Sequence, residues 1–353
     1  MTPSLETSNP RALNLLSEAV QEVKAYRQDP AHVKRLQVAS AKIRSALRED
    51  PDYLRAVYYD AIVDDLTGKA ADALPKYERI LTVGQDDSKF FHEVRYNLGV
   101  AYYHRYSWSW LDKAIKEFET VLSKTKDPSL ELLTRSARAQ AYAMHMIPPL
   151  PADIDLEALV TRSRLCKVDT TVVLGPKRRF LDLVRWQRPD PSARNGARWA
   201  ANNASGMRRM YLADYWAQLP PGQQEERSVR ELLDRALEDL RKAEAMRPDD
   251  WANWCDMGSA CMRLGAVERD PAKANVLFDK AVKQLTRVVE ELRPNYGFAL
   301  YELGRVNRLR GNFPDALAFL NRAVAIAEKD RDVGDRRVNL ELERAKASLK
   351  EYP

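Results

Sequence analysis

The residues best equipped for chemistry are four histidines, two adjacent carboxylate pairs and three cysteines, and their spacing argues against a catalytic or metal centre. His32, His92, His104 and His145 fall in separate helical stretches, and no two stand at the spacing from which a metal takes two ligands on one helix. Asp64-Asp65 lies on a helix face and Asp249-Asp250 follows Pro248, positions where carboxylates are solvated or cap a helix. Gly175-Pro176-Lys177 lacks the frame of a phosphate loop, and its proline removes a backbone donor that such a loop needs. No G-x-S-x-G elbow and no Cys-His pair in a recognisable context is present. Cys166, Cys255 and Cys261 are isolated thiols, odd in number and without C-x-x-C spacing, as expected in a reducing cytoplasm. The expectation is a chain without cofactor, metal or catalytic residues.

The elements that would position these residues are helices. Asn9-Pro10 reads as a cap followed by proline at the first helical position, with Leu13, Leu16, Val20 and Val23 on one face. Further helices are predicted over about 32–49, 89–106, 109–125 and 130–146, with Asp50-Pro51, Asp127-Pro128 and Pro148-Pro149 as stops. Residues 148–195 break the pattern: one short helix over about 154–165, then the β-branched run Thr170-Thr171-Val172-Val173, then a proline-punctuated stretch. Helices resume from about 196, with a partner helix over 225–246, and a charged capping helix is expected within 331–353. No apolar run is long enough for a membrane span, and the first ten residues lack a signal-peptide core.

The helices carry a recurring signature at about 34 residues. Leu300, Leu303-Gly304, Ala316, Leu320 and Ala323 form the clearest copy; Trp254, Met257-Gly258, Ala281, Leu285 and Pro294 form a second. Arg95, Leu98-Gly99, Tyr102, Ala114, Phe118 and Val121 form a third. Val57, Ala61, Ala73, Tyr77 and Ile80 make another, and Ala39, Ile43, Ala46, Pro51 and Ala236, Leu240, Ala243, Pro248 supply second halves. This resembles the tetratricopeptide repeat family, W-x2-L-G-x2-Y followed by A-x3-F and P. Small residues stand where two helices cross closely, and large ones fill the groove between hairpins. The resemblance implies an all-α, right-handed α-solenoid of about seven irregular hairpins, with repeats over 9–147 and 196–330 and an irregular basic insertion over 148–195. Arg95 and Leu300 replace the tryptophan, and Asn307 the tyrosine.

The resemblance also implies a site. In that family the first helix of each hairpin lines a concave face, which here would carry Tyr58, Tyr96, Tyr103, Phe298, Tyr301, Arg305 and Arg308 as a partner-binding groove. The Lys and Asn with which some members clamp a C-terminal carboxylate are absent, since Tyr96 with Val100 and Tyr301 with Arg305 stand there. The implied function is a cytoplasmic adaptor or regulatory subunit that grips a segment of another protein.

Charge gives a second surface. Residues 161–210 hold twelve Arg and Lys against three Asp, a local +9 in a chain whose total is +6. Lys177, Arg178, Arg179, Arg185, Arg194 and Arg198 are the candidate patch, for an acidic protein partner first and nucleic acid second. Phe180, Trp186 and Trp199 lie among these charges and are of a type that stacks on bases. The seven-residue spacing from Arg138 to His145 is similar to that of helical ribonuclease domains of the HEPN family. Ala139, however, stands where those domains place a polar residue, and the stretch fits a repeat helix.

Overall fold

The computed structural model describes residues 4–28, 32, 34–67, 69–83, 88–104, 108–146, 156–174, 190–217, 226–293, 296–329, 347 and 350. Among them the chain is all-helical apart from one isolated bridge between Ser4 and Tyr53. Two compact units are present, residues 1–141 with 185–190, and 142–184 with 191–353.

The first unit contains α1 (Pro10–Gln28), α2 (Lys34–Glu49), α3 (Leu54–Leu66), α4 (Ala70–Val83), α5 (Lys89–Tyr103), α6 (Trp108–Lys124) and most of α7 (Pro128–Met144). The proline-punctuated starts behave as their residue types dictate. The Asn9 side chain accepts from the backbone N–H of Arg11 at 3.0 Å, and that of Asp127 accepts from Ser129 at 2.8 Å, each ahead of a proline at the first helical position. Helices α1 and α2, α3 and α4, and α5 and α6 pack as hairpins, and the first helices α1, α3 and α5 also meet one another. The fully buried Ala39, Ile43, Ala46, Ala73, Tyr77, Ile80, Ala114, Phe118 and Val121 of the second helices are the signature residues.

The second unit contains α8 (Leu156–Leu174), α9 (Pro191–Trp216), α10 (Glu226–Met246), α11 (Trp251–Val267), α12 (Pro271–Arg287, continued by a π-helical turn Val288–Leu292), α13 (Gly297–Leu309) and α14 (Phe313–Lys329). Hairpins form from α9 with α10, α11 with α12, and α13 with α14, and α9, α11 and α13 touch in sequence. Helix α8 extends the short helix expected over about 154–165: it runs straight through the β-branched run to Leu174. Leu159, Ser163, Cys166 and Thr170 recur at helical spacing and are buried, on a helix that packs against α9. That tertiary contact overrides the weak strand preference of Thr and Val. Helix α9 likewise begins at Pro191, earlier than expected. The rest of that stretch, including the Gly175-Pro176-Lys177 tripeptide, lies outside the described residues, as does the expected capping helix save Ala347 and Lys350, both helical and exposed.

The close crossings explain the glycines. A Cβ on Gly304 would stand 2.4 Å from Leu320 Cγ, one on Gly99 2.5 Å from Phe118 Cε1, and one on Gly258 2.7 Å from Leu285 Cγ. The sequence reading missed two others. Gly206 of α9 meets Leu240, and Gly265 meets Phe278, at 2.6 Å each. Gly258 and Gly265 are seven residues apart, as are Phe278 and Leu285, so the α11–α12 hairpin repeats one close crossing two turns further along both arms. Gly304→Ala is expected to lower stability by about 1–3 kcal/mol through overpacking, despite the better helix propensity of alanine. Its cost should shrink when Leu320 is also alanine, because the new methyl then enters space that Leu320 vacates. Strictly additive losses in a denaturant double-mutant cycle would refute this account.

Candidate functional site

The inner face of the first unit is built on α3 and α5. Tyr58 is only 7% exposed, and its hydroxyl accepts a 2.8 Å hydrogen bond from Asn97 Nδ2. Its ring packs edge-on against Tyr77 and Phe90, and burial pushes its phenol above the ordinary tyrosine value. Tyr58 thus serves the joint between successive hairpins, whereas Tyr96 and Tyr103 remain half-exposed. Tyr96 leans on Phe118 at a 6.1 Å ring separation.

In the second unit the first helices of successive hairpins, α9, α11 and α13, lie side by side. Rings run along one edge of this row: Trp251 meets Tyr296 at 4.7 Å, Tyr296 meets Phe298 at 6.3 Å, and Phe298 meets Tyr301 at 6.2 Å. Tyr301 is 8% exposed, while Phe298, Arg305 and Arg308 are half-buried. Arg305 stacks over the Tyr301 ring and donates to Glu302 at 3.1 Å.

Behind that edge lies a buried polar network that sequence reasoning did not find. Arg263 Nε donates to both carboxylate oxygens of Asp214, at 2.8 and 2.9 Å. Its Nη1 donates to Ser259 O at 3.2 Å and to Glu302 at 3.4 Å, so one guanidinium on α11 ties α9 to α13. Burial alone would raise the Glu302 carboxyl. Arg305 and Arg263 beside it outweigh burial and hold it below the ordinary glutamate value. Asn203 donates to Asp256 at 2.8 Å, and Asn253 donates to Leu240 O at 3.0 Å. Asp256 has no cation this close, and burial pushes its carboxyl up to about 7, with Asp250 and Glu302 adding to the shift and Asn203 and Arg263 opposing it.

Of the basic patch, Arg194 and Arg198 are exposed on α9, and Lys177, Arg178, Arg179 and Arg185 lie outside the described residues. One face of Trp199 is covered by the Arg247 guanidinium, 4.3 Å over its ring.

The groups singled out for chemistry take structural positions. Lys76 pairs with both Asp60 and Asp64, and His104 Nδ1 meets Asp65 at 2.8 Å, a contact between α3 and α5 that sequence reasoning missed. The Asp250 side chain accepts from the Asn253 N–H at 2.9 Å and caps α11, while Asp249 pairs with Arg287 at 3.3 Å. His92 and His145 are buried, at 6% and 2% exposure. Arg138 lies 3.9 Å from Glu119. Among the described residues no group of three or more His, Cys, Asp or Glu is placed to hold a metal ion. In the same residues no helix is long and apolar enough to cross a membrane.

The model of the family described as "Tetratricopeptide repeat" matches residues 256–329, which span most of α11 and all of α12, α13 and α14. No curated protein matches the chain. Among solved structures, a tetratricopeptide repeat protein from Parabacteroides merdae aligns at 11% identity and TM-score 0.48, covering 96% of this chain and 100% of that one. A thermophilic tetratricopeptide repeat protein from Thermus thermophilus aligns at 15% identity and TM-score 0.46, covering 73% and 99%. The TPR2AB domain of yeast Sti1 in its pHSP90 complex aligns at 14% identity and TM-score 0.32, covering 95% and 98%. With glycine and its large partner opposed across the α11–α12 and α13–α14 hairpins, and the family's own model matched there, residues 256–329 form tetratricopeptide repeats.

Proposed function

We propose that this chain is a protein-interaction scaffold, an adaptor or regulatory subunit that holds a segment of another protein against the inner helices of its hairpins. The repeat fold suggests the scaffold role. The observation that carries the finer reading is that Tyr96 and Tyr103 on α5, and Phe298 and Arg308 on α13, keep part of their surface open although they lie on helices that contact the neighbouring first helices. Aromatic and guanidinium groups of this kind dominate binding energy where they are buried by a partner. Arg305 and Arg308 favour an acidic segment on the second unit, and the exposed Arg194 and Arg198 would speed its approach. Cytoplasmic residence belongs to the proposal, supported by three free, buried thiols, Cys166, Cys255 and Cys261.

Affinity capture from native cells with quantitative mass spectrometry tests the reading. Tyr96→Ala with Tyr103→Ala, or Phe298→Ala with Arg308→Glu, should weaken retention of the captured partner at least about tenfold, as for loss of hot-spot residues. Partners held as tightly by both double variants as by the wild type would remove the groove reading. A nucleic-acid accessory role, resting on Arg194 and Arg198, would instead show affinity falling with salt at a log-log slope of about −0.7 per phosphate neutralised on single strands.

A further inference from the structure

The second unit contains a cavity of about 500 Å³ at α9 and α10, within the part of the chain where basic residues concentrate. Arg198, Asn202, Ser205 and Arg209 line it at intervals of four, three and four residues, one stripe of α9, and Asp239 and Lys242 face them from α10. Three cations and one carboxylate therefore line it. Asp239 is bound on every side: Ser205 Oγ donates to it at 2.8 Å, Arg209 Nε lies at 3.2 Å, and Lys242 Nζ at 3.5 Å. Lys242 also reaches the exposed Glu238 at the rim, at 2.7 Å.

Two features say what the cavity lacks. The lining groups carry a surplus of two positive charges. Asn202 is 8% exposed, and its amide nitrogen makes only a 3.9 Å approach to the thioether sulfur of Met246, a weak acceptor. A buried amide donor and convergent cations together call for an oxyanion with several strong acceptor oxygens. A phosphate monoester supplies three such oxygens and close to two negative charges at neutral pH. A nucleic acid would need stacking surface as well, yet among the described residues no aromatic ring lines the cavity, and Trp199 nearby lies under Arg247.

We propose that this cavity binds a phosphate monoester carried on a side chain of a partner protein. The proposal rests on the scaffold reading, but its first test involves no partner. Calorimetric titration of the full chain with N-acetyl-O-phosphoserine amide should show saturable binding that inorganic phosphate competes away and that N-acetylserine amide does not reproduce. Arg198→Gln and Lys242→Gln, both at exposed side chains, should each weaken binding about tenfold, and Asp239→Asn should strengthen it about tenfold by removing the carboxylate charge within the lining. That gain separates a site from general loss of structure, and circular dichroism of each variant checks the fold. If Asp239→Asn fails to fold, the glutamine variants with unchanged dichroism decide the matter.

Absence of saturable binding up to about 10 mM, or affinity indifferent to Arg198→Gln and Lys242→Gln, would overturn the proposal. So would a 5′-phosphorylated oligouridylate that binds this cavity more than about tenfold tighter than the phosphoserine compound, which would make the ligand RNA. Phosphoserine binding that persists while the groove double variants leave every captured partner in place would sink the groove reading and leave the cavity standing.

Discussion

Arg263→Ala should cost about 3–5 kcal/mol of folding stability, the loss expected when one partner of a buried ion pair is removed. The side chains of Arg263 and Glu302 are 8% and 1% exposed, so neither charge can fall back on water. Without the guanidinium, Glu302 keeps the Arg305 contact, and Asp214 loses the two short contacts that Arg263 makes with it. The same three side chains join α9, α11 and α13, so loss of the arginine removes a polar tie between successive hairpins. Arg263→Met combined with Asp214→Asn and Glu302→Gln should stay within about 1–2 kcal/mol of the wild type, because no fully buried charge is then stranded and Arg305, at 24% exposure, still reaches water. Urea denaturation gives both numbers. A single alanine variant less than 1 kcal/mol below the wild type would show the network to be an accessory.

Asp256 should make the chain lose stability as pH rises from about 4 to about 7. Folding lifts its carboxyl from the ordinary value of 3.8 to about 7, so across that window the folded state holds a proton that the unfolded chain has released. The contribution is complete below the unfolded value and is lost as pH climbs through the folded one. The groups that face it are Asn203 on α9, Asp250 and Arg263 at the two ends of its own helix, and Glu302 on α13. Asp256→Asn keeps an acceptor for the Asn203 amide and discards the titration. Its stability relative to wild type should therefore rise by about 4 kcal/mol between pH 4 and pH 8, at about 1.4 kcal/mol per pH unit. Parallel stability curves for the two proteins would refute this assignment.

What the sequence disclosed and what it concealed follow from the range of the interactions. Gly304 and Leu320 are 16 residues apart, the family's own interval, and that hairpin was readable at once. Gly206 and Leu240 make the same contact from 34 residues apart, because α9 and α10 are 26 and 21 residues long, and a fixed interval passes over them. Helix α8 was half concealed because Thr170, Thr171, Val172 and Val173 favour strands in isolation, and only the packing of α8 on α9 decides otherwise. Asp214, Arg263 and Glu302 look like ordinary surface charges along the chain. Contacts over 49 and 39 residues convert them into an interior triad, and periodicity carries no trace of that. Tyr58 shows the converse limit: its position suggested an open face, yet Asn97, Tyr77 and Phe90 close over it.

The mirrored glycines of the α11–α12 hairpin show how a hairpin could change length without turning its contact face. Seven residues turn a helix by almost two full circles, leaving the contact face about 20° from where it began. Excising 259–265 from one arm and 278–284 from the other would keep Gly258 opposite Leu285 and shorten the hairpin without re-facing it. A three-residue excision from a single arm would swing every side chain beyond it about 60° out of phase. A paired double-turn step is thus one way in which hairpins of unequal length can keep the same crossing.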